Sequence, residues 1–333
     1  MPHQGASPRA PICLSRRGFL AGLAAFGIAT LSGCKPAAPL AVAAHVWPGY
    51  ELMFLARDQG WLDSARLRLL RTTSATESIE ALRTNRVGAA ALTLDEVLRV
   101  RGEGIPLTVV LVFDISSGAD VVLASDSIDS LAALRGKRIG VEESAVGSLM
   151  LHKLEEAAGL REDEFIPVSL RIEEQLATWR SGSLDAIVSY EPTATLLEHA
   201  GARRIFDSRR FPPAIIDVLA IRAEALDRHT EALRLLATGH FRALRHLTAH
   251  RVDAVHRLAS TMKLDAESVT DVYRGLELPD LDRNRRLLRG LPPPLLQTAA
   301  ELSDLLTRHD LLQRRDSLDK LVTDVGLPAG SSG

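Results

Sequence analysis

From residue 40 onward, short apolar runs alternate with polar stretches of helical period. Residues 40–46 are a continuous small-apolar run, of the kind buried on both faces of a parallel sheet. After the turn Trp47-Pro48-Gly49-Tyr50, residues 51–59 put Leu52, Leu55 and Ala56 on one helix face, and Gly60 stops that helix. The alternation repeats with strands at 66–70, 89–92 and 107–113 and helices at 74–84 and 93–101. This order predicts βαβ units and a parallel sheet covered by helices. Residues 121–124 read as a further strand leading out of the first lobe.

The alternation then restarts, with helices at 130–134, 147–158, 173–180 and 191–199 and strands at 138–141, 166–169 and 186–189. Residues 215–221 read as a return crossing. Beyond residue 223 the pattern is helical, with Leu233, Leu236, His240, Leu244 and Leu247 on one face and a last helix at 295–309. The expected architecture is α/β, with two parallel-sheet lobes and a helical C-terminal region. Residues 40–124 begin lobe 1, 125–214 form lobe 2, and 215–325 return to pack on lobe 1. The Gly/Ser-rich residues 326–333 are expected to be an unstructured tail.

The N-terminus changes the picture. Ser15-Arg16-Arg17-Gly18-Phe19-Leu20 opens a charge-free stretch that reaches Leu31-Ser32-Gly33-Cys34. Basic residues, a short apolar segment and small residues before a cut describe an export signal over residues 1–33. The stretch is shorter than the ~20 residues of a membrane span. The paired arginines resemble a Tat signal, and residues 31–34 resemble a bacterial lipobox. That resemblance implies cleavage before Cys34, lipidation of its thiol, and residues 34–39 as a linker at the periplasmic face of a bacterial membrane, contacted through the lipid alone. Cys13 and Cys34 are the two cysteines, so the processed chain would have no free thiol for a disulfide, a thiolate metal site or a nucleophile. The signal holds three arginines and no acid, so its removal takes the formal charge from −2 to −5. No basic excess remains to favour nucleic acid as a partner.

Open α/β sheets bind ligands at the carboxyl ends of their strands. Trp47, Ser74, Thr93, Asp114, Glu142 and Tyr190-Glu191 follow the predicted strands. Ser74-Ala75-Thr76-Glu77 and Thr93-Leu94-Asp95-Glu96 both fit a capping box. Either alone is a well-capped helix. Repeated at successive strand ends, they open two helix N-termini on one sheet edge, where N–H groups can hold ligand oxygens. Glu51, Asp114, Glu142, Glu191 and Asp217 would bring acids to this cleft, with no lysine or arginine in the same set. A bare anion wants guanidinium or ammonium donors, so the balance favours a ligand with amine or N–H donors, such as an aminopyrimidine. The helix N-termini keep an anion open. Asp217 lies inside the apolar run 215–221, and a buried carboxylate needs a partner or a ligand.

Trp47-Pro48-Gly49-Tyr50-Glu51 and Leu55-Ala56-Arg57-Asp58-Gln59-Gly60-Trp61-Leu62 resemble the opening of the NMT1/THI5-like family. The resemblance continues through Gly88-Ala89-Ala90-Ala91-Leu92-Thr93-Leu94-Asp95, Asp114-Ile115-Ser116-Ser117-Gly118-Ala119-Asp120 and Asp185-Ala186-Ile187-Val188-Ser189-Tyr190-Glu191-Pro192. These are periplasmic binding proteins of ABC importers for nitrate, sulfonates, taurine and thiamine-pyrimidine precursors. The resemblance implies a bilobal type II periplasmic-binding-protein fold that closes about a hinge, a monomer, and an ABC permease as partner. It makes Trp47 and Tyr50 an aromatic wall. Thr93, Asp114 and Ser116 would line lobe 1, Glu142, Ser144, Tyr190 and Glu191 would line lobe 2, and Asp217 would lie near the hinge.

Two alternatives stay open. The same module could report its ligand state to a membrane sensor. An enzyme of pyrimidine metabolism is the other, but the THI5-like branch with iron uses a cysteine-rich segment, and porphobilinogen deaminase holds its cofactor on a cysteine; neither feature is present. There is also no H-E-x-x-H spacing, G-x-S-x-G elbow, P-loop or G-x-G-x-x-G after a strand. No catalytic residue, cofactor or metal is therefore expected. His152, His199 and His240 sit in helical patterns and are expected to be packed or surface residues.

Overall fold

The computed structural model describes residues 38–142, 145–211 and 215–330. Cys34, the export motifs and Ser144 lie outside the described residues. Strands β1 (Leu40–Ala44), β2 (Leu67–Arg71), β3 (Ala89–Thr93), β4 (Leu107–Ser116), β10 (Ile216–Arg222) and β11 (Leu276–Glu277) form the lobe 1 sheet in the order β11-β4-β10-β3-β1-β2. Strands β5 (Asp120–Ala124), β6 (Arg138–Val141), β7 (Ile166–Ser169), β8 (Ala186–Tyr190) and β9 (Arg203–Asp207) form the lobe 2 sheet in the order β7-β6-β8-β5-β9. The fold is the bilobal α/β one that the sequence pattern implied.

Both sheets are mixed, however, not parallel. β10 runs antiparallel between β3 and β4, and β5 runs antiparallel between β8 and β9. The cause is the pair of crossings: a strand that enters one sheet from the other lobe arrives against the direction of the βαβ strands. The lobe boundary also moves. Residues 120–124, expected in lobe 1, are β5 of lobe 2, so the outward crossing is the short turn before Asp120. Gly118 supplies that turn with φ 107°, where a side chain would be strained. An apolar run alone does not say on which side of a crossing it belongs. The segment expected to be a loose tail also packs: Leu327 is buried, and Gly326 sits against Leu233 and Val110.

Helices α1 (Pro48–Asp58), α2 (Ala75–Arg83) and α3 (Leu94–Gly102) follow β1, β2 and β3. Helices α4 (Ala145–Ala158), α5 (Ile172–Arg180) and α6 (Thr193–His199) cover lobe 2. The C-terminal helices are α7 (Leu226–Ala249), α8 (Arg251–Met262), α9 (Ala266–Arg274), α10 (Leu281–Leu288) and α11 (Pro294–Arg308). The leucine face of α7 buries Leu233, Leu236 and Leu247 and packs on α1. Gly239 permits this approach, because a Cβ there would lie 2.4 Å from Leu62 Cδ2. His240 is a core residue, edge-on to Phe113, and burial lowers its pKa to about 3, so the ring is neutral.

The two crossings are tied to each other. Ser116 Oγ lies 2.8 Å from Ser208 Oγ, which also accepts from Gly118 N–H at 2.7 Å. Ser116 N–H donates to Ile215 O at 3.0 Å, and Arg204 donates to Gly118 O at 2.7 Å. This bonded pair of short segments is the hinge, and it sets the spacing of the two sheet edges that face each other.

Candidate functional site

The site begins with sheet register. Asp217 on β10 stands opposite Thr93 on β3 and Asp114 on β4, so three polar residues form one row across the end of the lobe 1 sheet. Above the row, the first turn of α1 follows β1. Trp47 Nε1 donates to Asp114 Oδ2 at 2.9 Å, and the Tyr50 hydroxyl donates to Asp217 Oδ1. The Asp114 carboxylate presses on Gly49, where a Cβ would fall 1.8 Å from Oδ2, so only glycine fits. Lobe 2 contributes Asp120 at the start of β5, Glu142 after β6 and Tyr190 at the end of β8. The Tyr190 hydroxyl donates to Glu142 Oε2 at 3.2 Å, and its ring meets Trp47 edge-on at 5.9 Å.

Between the lobes lies a narrow cleft, lined by His45, Trp47, Thr93, Glu96, Asp120, Tyr190 and Asp217 together with Ala75 and Val146. A second small cavity beside it shares Asp120, Val146 and Tyr190 and adds Glu142 and Ser189. Among the described lining residues there is no lysine or arginine. His45 supplies no charge either, since burial and nearby Arg71 lower its pKa to about 4.

The carboxyls are therefore crowded, with no lysine or arginine among the described residues that line the cleft. Glu96, Asp114, Asp120, Glu142 and Asp217 each keep one buried oxygen that accepts no hydrogen bond from the described residues, and both Asp95 oxygens do so. Burial pushes Asp114, Asp120 and Glu142 up to about 7 and Asp95 to about 6. Glu96 rises to about 8, through burial and then through adjacent Asp95. Asp217 is raised well above the usual carboxylate range by burial and by Asp114 beside it.

Other expected site residues have partners elsewhere. Glu51 is buried in a two-point ion pair with Arg71, 2.9 Å for Nη2 to Oε2, and does not line the cavity. Glu191 accepts from Thr195 N–H at 3.1 Å and from Arg204 at 3.2 Å, so it holds the start of α6. Ser116 serves the hinge. Ser74 caps α2, accepting from Glu77 N–H at 3.2 Å, and leaves the cavity wall to Ala75. Trp47, Tyr50, Thr93, Asp114, Glu142, Tyr190 and Asp217 come together around the cleft. Sequence reasoning missed His45, Glu96 and Asp120 as lining residues. Asp120 had a signal, an acid opening an otherwise apolar strand, but the strand had been placed in the wrong lobe.

The family model for NMT1/THI5-like proteins matches residues 47–254. The chain belongs to the NMT1/THI5-like family. A curated relative from Brucella abortus is 26% identical over 169 residues, covering 48% of this chain and 52% of that protein. The chain thus spans about half the length of the curated relative. The alkanesulfonate-binding protein SsuA from Xanthomonas axonopodis pv. citri, solved with MOPS, shares the fold with TM-score 0.72 at 15% identity, over 89% of this chain and 99% of that one. The aliphatic sulphonate-binding protein SsuA from Escherichia coli gives TM-score 0.69 at 16% identity, over 86% and 97%. The desulfurization enzyme DSZB has the same fold as well, with TM-score 0.61 at 19% identity, over 87% and 97%. Fold alone thus does not separate binding protein from enzyme.

The carboxyls of lobe 1 face those of lobe 2, and their raised pKa values belong to the closed arrangement. A raised carboxyl pKa favours the closed form at low pH and loses that contribution as pH rises through the folded value. Closure without ligand is thus expected to weaken progressively from about pH 4, the ordinary carboxylate value, to about pH 8, the highest raised value. Small-angle scattering of the ligand-free protein should give a larger radius of gyration at pH 8 than at pH 5. An identical radius at both would show that these groups do not repel across the cleft.

Proposed function

We propose that this protein is an exported solute-binding protein that closes two lobes around a small organic solute bearing cationic or N–H donor groups and delivers it to an ABC permease. The observation that carries this reading is the set of buried carboxyl oxygens that face an interlobe cavity with no lysine or arginine among its described lining residues. Such oxygens are costly to bury unmatched. A protonated amine, an amidine or an amino-substituted heterocycle supplies what they lack. The aromatic faces of Trp47 and Tyr190 add a wall that suits a flat ring or an ammonium group. Family membership and the hinge support a transport role. The sulfonate ligands of the structural neighbours do not carry over, because a sulfonate would meet this carboxylate cluster with no described cation in the wall.

A thermal-shift screen tests this reading, with amines, amidines and aminopyrimidines set against nitrate, taurine and alkanesulfonates. A native-state ligand raises the melting temperature by mass action. We expect a shift from the cationic or N–H-donor set, with affinity at least about tenfold weaker in Asp217→Asn, as for a lost charge-assisted hydrogen bond. A shift from sulfonates or nitrate alone would overturn the ligand class.

Export through the twin-arginine signal and anchoring by acylated Cys34 belong to the same proposal, supported by the residue pattern around that cysteine. In a bacterial host, wild-type protein should partition with membranes and Cys34→Ala should be released to the soluble periplasmic fraction. Equal membrane retention of both would remove the lipid anchor.

A further inference from the structure

Away from the cleft, a second cluster joins the lobes. Helix α4 lies on the lobe 2 sheet and also packs against α3 of lobe 1, while α11 packs on the other elements of lobe 1 and ends just before His309. His152 on α4 meets His309 there, with ring centroids 3.5 Å apart and planes tilted by 38°. One turn along α4, Glu156 follows at the i+4 position on the same face. His152 Nε2 lies 3.2 Å from Glu156 Oε1.

We propose that His152, Glu156 and His309 form a site for a divalent transition-metal ion, zinc above all, that bridges the two lobes. One ligand atom from each residue already lies within 4.8 Å of the others. Four-coordinate zinc with bonds of about 2.0–2.2 Å sets its ligands about 3.4 Å apart, so modest side-chain rotation closes the site. Glu156 is half exposed and free to make that rotation. Two imidazoles and a carboxylate leave a fourth position for water or for a solute group.

The surroundings match such a site. A metal-bound imidazole commonly directs its second nitrogen to a carboxylate, and His152 Nδ1 lies 3.4 Å from Glu155 Oε2. Lys153 donates to the other Glu156 oxygen, Oε2, at 2.8 Å, which leaves Oε1 on the side of the His152 ring. The ligands come from opposite lobes, so an ion there favours the closed arrangement.

Isothermal titration of the full chain with zinc, followed by cobalt absorption, tests the proposal. We expect saturable one-to-one zinc binding, and a visible cobalt spectrum of tetrahedral intensity. Zinc affinity should fall at least tenfold in His309→Ala and in His152→Ala, and should be kept in Asp217→Asn. Circular dichroism of each variant checks its fold, and Glu156→Gln, on an exposed position, gives an independent loss. Absence of saturable zinc binding overturns the site. Wild-type affinity in both histidine variants also overturns it, and moves the ion to the acidic cleft.

Discussion

Carboxyl groups buried between two lobes, with no lysine or arginine among the described residues that line the cleft, are the constraint around which this molecule is arranged. Taking an ionised carboxylate out of water is expensive unless a partner replaces the lost hydration. Here the partners inside the chain are hydroxyl and indole donors: Trp47 for Asp114, Tyr50 for Asp217, Tyr190 for Glu142. Each donor satisfies one oxygen and leaves another. In the closed form the remaining demand is met by protonation, which is why burial lifts these groups toward neutral pH. A cation between the lobes would meet it instead. Closure and ligand chemistry are in this way two sides of the same electrostatic balance.

The rest of the fold serves that balance. Antiparallel insertion of β10 places Asp217 between Thr93 and Asp114, a row that a purely parallel lobe would not make. Gly49 lets Asp114 reach under the first turn of α1. The Ser116–Ser208 contact ties the two crossings into a single bonded segment between the lobes. Partly buried arginines are paired elsewhere than in the cleft, Arg71 with Glu51 and Arg204 with Glu191 and Glu198.

Much of the fold was legible in the chain because strands buried on both faces write themselves as apolar runs. β3 and β6 and the helix after residue 293 follow the pattern closely. β9 was not legible, since Arg203 and Arg204 break its apolar character to serve Ile128 and Gly118. At the site, Asp217 could be read from its apolar setting alone. Glu51 and Glu191 misled, because their arginine partners lie on other strands and no spacing reveals them. Glu96 was read as a cap, and it does accept from Thr93 N–H at 3.0 Å; its other oxygen faces the cleft, and one side chain held both roles. His309 escaped for a related reason, as its partners His152 and Glu156 sit in the other lobe.

The central claim is that a cation replaces protons among the cleft carboxyls. Calorimetric titration at pH 5, where the ligand-free protein is closed over protonated carboxyls, with the amine of largest thermal shift, measures this directly when repeated in buffers of different ionisation enthalpy. The account predicts net proton release on binding, because groups raised to about 7 and about 8 must ionise to hold the ligand. Binding with no proton release, or with proton uptake, would contradict it.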